Sequence, residues 1–212
     1  MRILILTAVE AEKAAVLRGL GGNSRFAVEI AGVGLVEAAV STATILAAAD
    51  YDLVISAGIA GGFLGRAEIG SVVVASDIVA ADLGVQTLDG FSSLDELGFG
   101  TTRVPVAAEL AARVTSALQA AGLAAAAGPV LTVATATGTA ATAAALADRV
   151  PGAAAEAMEG FGVAAAAHRR GVPVLEIRTI SNAVGPRDRD AWRIGDALKA
   201  LQAASSVLTE VL

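Results

Sequence analysis

Three short stretches hold the groups best suited to move a proton or orient a ligand. They are TAVEAE with Glu10 and Glu12, AMEG with Met158 and Glu159, and RTISNAVGPRDRDAW with Ser181 and Asn182. A carboxylate such as Glu12, placed just after a strand, can take a proton from a reactant in a crevice. The same acids in the first turn of a helix complement the positive end of its dipole. Both readings stand for Glu10 and Glu12. Glu159 can chelate two adjacent hydroxyls while Met158, the only methionine besides Met1, packs on an apolar ring face. The pair also suits a helix cap followed by a core filler. Asn182 presents a donor and an acceptor side by side, which fits a flat heterocycle. Beyond Gly185-Pro186, the residues Arg187, Asp188, Arg189, Asp190 and Arg193 fall within seven positions. An arginine there can grip a carboxylate with two parallel hydrogen bonds, or the cluster can be an exposed, weakly coupled charge network.

Composition removes several other chemistries. The chain has 212 residues, a net charge of −6 and no run of basic residues, so it lacks the positive face that a phosphate backbone requires. With no cysteine and one histidine, disulfides, thiolate catalysis, a catalytic triad and a transition-metal site are not expected. His168 sits in HRRG, where a cation suits a helix C-terminus. The opening MRILILTAVEAE is expected to carry no signal peptide, and the lack of cysteine is compatible with a cytoplasmic setting. From Val114 to Ala147 there is no charge, a stretch longer than the ~20 residues that span a bilayer. Its glycines, Pro129 and six threonines instead predict helix end, turn, strand and helix in a water-soluble interior.

The elements that must position these groups follow from hydrophobic periodicity. Strands are predicted at 2–6, 26–31, 53–56, 72–79, 130–134, 153–156 and 172–180. Helices are predicted at 10–20, 34–49, 106–121, 140–146, 160–170 and from about 190 to the end. Residues 80–102 show no clear period and read as a long loop. The glycines of AGVG (31–34) and SAGIAGG (56–62) read as tight strand-to-helix turns, or as places where backbone approaches a ligand. Neither matches a dinucleotide fingerprint or a Walker loop. Apolar strands alternating with helices predict an α/β fold, a three-layer α/β/α domain over 1–212 with a central, mostly parallel twisted sheet. Ligands of such sheets bind beyond the carboxyl ends of strands, where Thr7, Ser56, Thr135, Glu156 and Ser181 fall.

Glu12 behind the first strand, then SAGIAGG, AMEG and RTISNAVG in that order, resemble the purine nucleoside phosphorylase and nucleosidase superfamily. The resemblance covers nearly the whole chain. Within it, MEG followed by ISN and GPRD with a tryptophan is most similar to the futalosine hydrolases, nucleosidases of an alternative menaquinone pathway. The resemblance implies the nucleosidase fold, a nucleoside substrate, no metal or organic cofactor, and a homo-oligomer built on dimers. It also implies that Glu12 activates water, that Met158 packs on ribose and that Glu159 holds the ribose hydroxyls. Ser181 and Asn182 would face the purine. Ile59, Ala60, Gly61, Gly138 and Thr139 would complete the substrate contacts.

Two departures from the related adenine nucleosidases bear on the base. Those enzymes carry Asp where Asn182 stands, and a second Glu where this chain has Ala157. An Asn amide can donate to O6 and accept from a protonated N7, whereas a 6-amino group would meet a donor. Such a mismatch costs about 1–3 kcal/mol. The expected base is therefore a 6-oxopurine such as hypoxanthine. Phosphorolysis is not expected, because Ile59 stands where superfamily phosphorylases hold phosphate, and Glu12 would repel an anion. Arg187 is expected to turn back toward the crevice and bind a substrate carboxylate, with Arg189 and Arg193 facing solvent or Asp188 and Asp190.

Overall fold

Unbroken apolar runs become strands buried on both faces. The computed structural model describes residues 1–88 and 90–212. Its first half runs β1 (Ile3–Thr7), α1 (Glu10–Leu20), β2 (Phe26–Ile30), α2 (Leu35–Ala48), β3 (Leu53–Gly62) and β4 (Val72–Ala80). A hairpin, β5 (Gly84–Thr87) and β6 (Gly90–Ser93), leads through the short α3 (Leu94–Leu97) to β7 (Arg103–Pro105). Then come α4 (Ala108–Ala120), β8 (Ala125–Thr132), α5 (Ala140–Arg149), β9 (Ala155–Ala157), α6 (Gly160–Arg169), β10 (Val174–Ala183) and α7 (Ile194–Val211). The span 80–102 is thus not a plain loop. Its strands and helix are each only four residues long, too short to show a period.

Strand alternation sorts side chains into two cores. Ile3, Ile5, Leu53, Ile55, Leu175 and Ile177 meet Val16 of α1, Val114 of α4 and Leu201 of α7. Leu4, Leu6, Val54 and Val174 point the other way, onto Ala38 of α2 and Val163, Ala164 and Ala167 of α6. The expected three layers are present. Small residues suit this arrangement: a Cβ on Gly162 of α6 would press on the α2 backbone.

The sheet itself departs from the expected pattern, for it is mixed. β1 runs parallel to β2 and β3, β3 to β10, and β8 to β4 and β9. β10–β4, β3–β9 and β4–β7 are antiparallel. Apolar periodicity reports burial and carries no direction, so the sequence alone could not distinguish these cases. The order β10-β4-β8-β9-β3 closes on itself through the β10–β3 pairing. This ring needs two long strands, and β3 and β10 have ten residues each. SAGIAGG therefore lies inside β3 and forms no turn into a helix. Closure brings Gly61 beside both β10 and β9. No helix among the described residues is long and apolar enough to cross a membrane.

Candidate functional site

A cavity of about 260 Å³ opens where β3, β9 and β10 meet. Glu12 enters it from the first turn of α1 and is 3% exposed. Its Oε2 accepts from the backbone N–H groups of Ala8 (2.9 Å) and Val9 (3.3 Å), and Oε1 accepts from Ile59 N (2.8 Å). The helix-start role and the cavity position are thus combined in one side chain. A carboxylate offers about four acceptor sites, so Oε1 retains one for a water or a ligand. Gly58 makes this possible: a Cβ there would sit 2.6 Å from Glu12 Oε1 and 2.8 Å from Arg178 Nη1.

Glu159 occupies the N-cap position of α6, but its side chain does not cap that helix. It reaches back instead, accepting from Gly34 N (3.2 Å) and Met158 N (3.3 Å), and pairs with Arg178 Nη1 at 3.3 Å. Met158 lines the cavity beside it. On the opposite wall, the β10 register slips between Ile180 and Asn182. Such a bulge re-aims side chains at sheet ends. Ser181 Oγ lies 2.7 Å from Asn182 Oδ1 and 3.2 Å from the Ala60 carbonyl, so the hydroxyl orients the amide.

Glu12, Ile59, Ala60, Gly61, Met158, Glu159, Ser181, Asn182 and Arg187 all line this one cavity. Gly138 and Thr139 do not. Thr139 is spent on capping α5, accepting from Thr142 N, while the Gly138 carbonyl accepts from Arg187 N at 3.3 Å. Ala136 and Thr137 stand at the wall in their place. Arg187 is exposed and lies over the Trp192 ring at 5.2 Å, with Arg189 over the same ring at 5.9 Å. Arg193 pairs with Asp196 at 3.1 Å, and not with Asp188 or Asp190. His168 ends α6 on the surface.

The residue the motifs do not reveal is Arg178, which is 1% exposed. Its Nε meets Glu176 Oε1 at 2.8 Å, its Nη1 meets Glu159, and its Nη2 donates to Ser56 Oγ at 3.1 Å. A signal for it was present. Glu and Arg two apart in an apolar strand lie on one face, and buried charges of that kind must pair. One guanidinium here serves Glu176 and Glu159 directly, and the charge of Glu12 also acts on it. Glu176 is the least satisfied, with Oε2 buried and without a partner among the described residues. Gly160 packs against it so closely that no Cβ would fit. Burial pushes the Glu176 carboxyl up, against the pull of Arg178 and with the charge of Glu159 adding to the rise.

This has a consequence for stability. A carboxyl raised in the fold holds a proton that the unfolded chain releases above its ordinary value of about 4.3. Its stabilising share is complete below that value and is lost as pH climbs through the raised one. Melting temperature should therefore fall with rising pH in this range, and Glu176→Gln should flatten the fall. Equal slopes for both proteins above the ordinary carboxyl value of about 4.3 would show that Glu176 is not the group responsible.

Comparison with known proteins agrees with this architecture. Residues 8–212 match the family model of the phosphorylase superfamily. A futalosine hydrolase of Streptomyces coelicolor is 52% identical, with 100% of this chain and 97% of that protein covered. A second, from Acidothermus cellulolyticus, is 48% identical over 97% of this chain and 89% of its own length. In structure, the native futalosine hydrolase of Helicobacter pylori superposes with a TM-score of 0.87 at 18% identity, covering 100% of this chain and 98% of that one. The chain belongs to the phosphorylase superfamily.

Proposed function

We propose that this chain hydrolyses the N-glycosidic bond of futalosine, giving hypoxanthine and dehypoxanthine futalosine in menaquinone biosynthesis. It is an enzyme of N-glycosyl bonds, a hydrolase like the relatives it matches along its whole length. One observation carries the finer reading: Glu12, Glu159 and Asn182 converge on a single cavity. Glu12 takes a proton from the attacking water through its remaining Oε1 site. Glu159 has two backbone donors and the Arg178 ion pair already, and its Oε1 keeps a site for a ribose hydroxyl. Met158 supports the sugar face. Asn182, held by Ser181, stabilises the departing base as charge moves onto it from an oxocarbenium-like ribose. Ile59 contributes only its backbone N–H to Glu12 and an apolar side chain, so water fits better than phosphate as nucleophile.

The reading extends to assembly and location. Val36 and Val40, one turn apart on α2, are 72% and 59% exposed, with Val33 nearby at 58%. An apolar strip of this kind supports a homo-oligomer built on dimers, and the proposed setting is the cytoplasm. The function is tested by supplying futalosine, inosine and methylthioadenosine separately, with and without phosphate, and measuring free base. Hypoxanthine should appear from futalosine without need of phosphate. Adenine released faster from methylthioadenosine would refute the substrate, and a phosphate requirement would refute hydrolysis.

Arg187 provides a sharper check. Futalosine carries a benzoate carboxylate remote from the base, and Arg187 stands at the cavity rim with its ring partner Trp192. Arg187→Ala should lower futalosine efficiency by about 1.5–3 kcal/mol, the range for hydrogen bonds to charged groups. Inosine has no carboxylate and should lose almost nothing. Equal losses on both substrates would assign Arg187 to loop support.

A further inference from the structure

Arg178 has three nitrogens to offer, and two of them are fixed away from the cavity. Nε meets Glu176 Oε1 at 2.8 Å, and Nη2 donates to Ser56 Oγ at 3.1 Å. Because the guanidinium is planar and rigid, these two contacts set the direction of the third nitrogen. Nη1 passes over Gly58, the β3 partner of Arg178 in the strand register, and pairs with Glu159 Oε2 at 3.3 Å. The other holds on Glu159 are long backbone bonds, 3.2 Å from Gly34 N and 3.3 Å from Met158 N. The aim of Glu159 therefore depends on where Nη1 points, and that depends on Glu176.

Glu176 itself does not line the cavity. It is fully buried, and its Oε2 lacks a partner among the described residues. On its other flank lies Gly160, the residue after Glu159, where a Cβ would collide with both carboxyl oxygens. The acid is thus wedged between the guanidinium and the backbone that carries Glu159. Stability gives no reason for it, because an acid with an orphan oxygen at this depth costs free energy. Charge balance gives none either, since Arg178 already has an anionic partner in Glu159. What Glu176 adds is direction.

We propose that Glu176 is a positioning residue for ribose recognition: by holding Nε of Arg178 it keeps Nη1 on Glu159 Oε2, which leaves Glu159 Oε1 turned to the sugar hydroxyls. Without that acceptor the guanidinium can swing toward Glu12, whose Oε1 flanks the same bare position at Gly58. Glu159 then loses the contact that aims it. This inference rests on the ribose role assigned to Glu159 above and adds the buried residue that sets it. Its signature is a loss confined to ligands that carry the hydroxyls.

Affinity is measured by calorimetry for three ligands that have no N-glycosidic bond: 9-deazahypoxanthine, 9-deazainosine and the 2′,3′-dideoxy form of the latter. In the wild type the two hydroxyls should raise affinity by about ten- to a hundredfold, as expected of hydrogen bonds to a charged group. Glu176→Met removes the acceptor at similar volume and should cut that advantage by about tenfold, with the free base bound as before. Glu176→Asp keeps an acid but withdraws it by one methylene and should cut the advantage too, so the test does not hang on one variant. Glu176→Gln retains an oxygen for Nε and should restore most of it. If the advantage survives in the Met and Asp variants, or if all three ligands weaken alike, Glu176 is only structural and the proposal is overturned, while the reading of Glu159 stands. If the wild type gains nothing from the hydroxyls, Glu159 does not hold the ribose and both fall together.

Discussion

Glu12→Gln should lower turnover of futalosine by roughly 10²-fold or more, the lower range for general acid–base catalysis, while free hypoxanthine still binds. The amide keeps the shape of the side chain but cannot take the proton of water. It also fits its seat imperfectly. Ala8 N, Val9 N and Ile59 N all donate to this carboxylate, two to one oxygen and one to the other. An amide nitrogen in place of either oxygen faces a donor, which costs about 1–3 kcal/mol of stability. The protein should thus melt somewhat lower yet remain folded. Single-turnover rates and hypoxanthine affinity, measured on the same preparation, separate the two effects. Turnover within a few-fold of wild type would reduce Glu12 to a helix-start charge.

Arg178→Met should have the largest effect on the fold. The guanidinium is the only cation in direct contact with Glu159 and Glu176 among the described residues, and all three side chains are nearly or wholly buried. Removing one partner of such a group strands the rest, typically at about 3–5 kcal/mol. Against a total stability of about 5–15 kcal/mol, that is a large share. Urea unfolding should show it as a lower midpoint. Adding Glu176→Gln to the same variant should recover part of the loss, since one stranded acid is then gone. An unfolding free energy within about 1 kcal/mol of wild type would mean that Arg178 holds little. Activity should fall with stability here, because Glu159 loses the contact that aims it.

The sequence by itself determined the local elements and the chemistry they carry. α1 was legible from Glu10 to Leu20, because its periodic face ends at Gly21-Gly22, and Gly21 takes the left-handed conformation at the C-cap. Helical spacing, apolar strand runs and the order of Glu12, Met158, Glu159, Ser181 and Asn182 could be read without coordinates, since each depends on near neighbours in the chain. The three layers followed from strands alternating with helices. The prediction of 53–56 for β3 is too short, because glycine is depleted in strands and AGIAGG resembles a turn. Only the approach of Glu12, Arg178 and Asn182 explains why a strand continues there without side chains.

The rest was settled by tertiary structure. Closure of the ring through β10 and β3 and the bulge at Ser181 depend on pairings between residues more than a hundred positions apart, and direction within the sheet also depends on pairings between separate elements of the chain. Periodicity is blind to them. Thr139 caps α5 and does not line the cavity, because a hydroxyl before a helix has a local use that competes with any distant one. Arg178 sits in the very stretch that carries Ser181 and Asn182. Its partnership with Ser56, Glu159 and Glu176 exists only once β3, α6 and β10 are packed together. Glu156 differs from an ordinary acid for the same reason: the closed sheet sets it across Gly61 from Asn182, out of water and, among the described residues, without a cation.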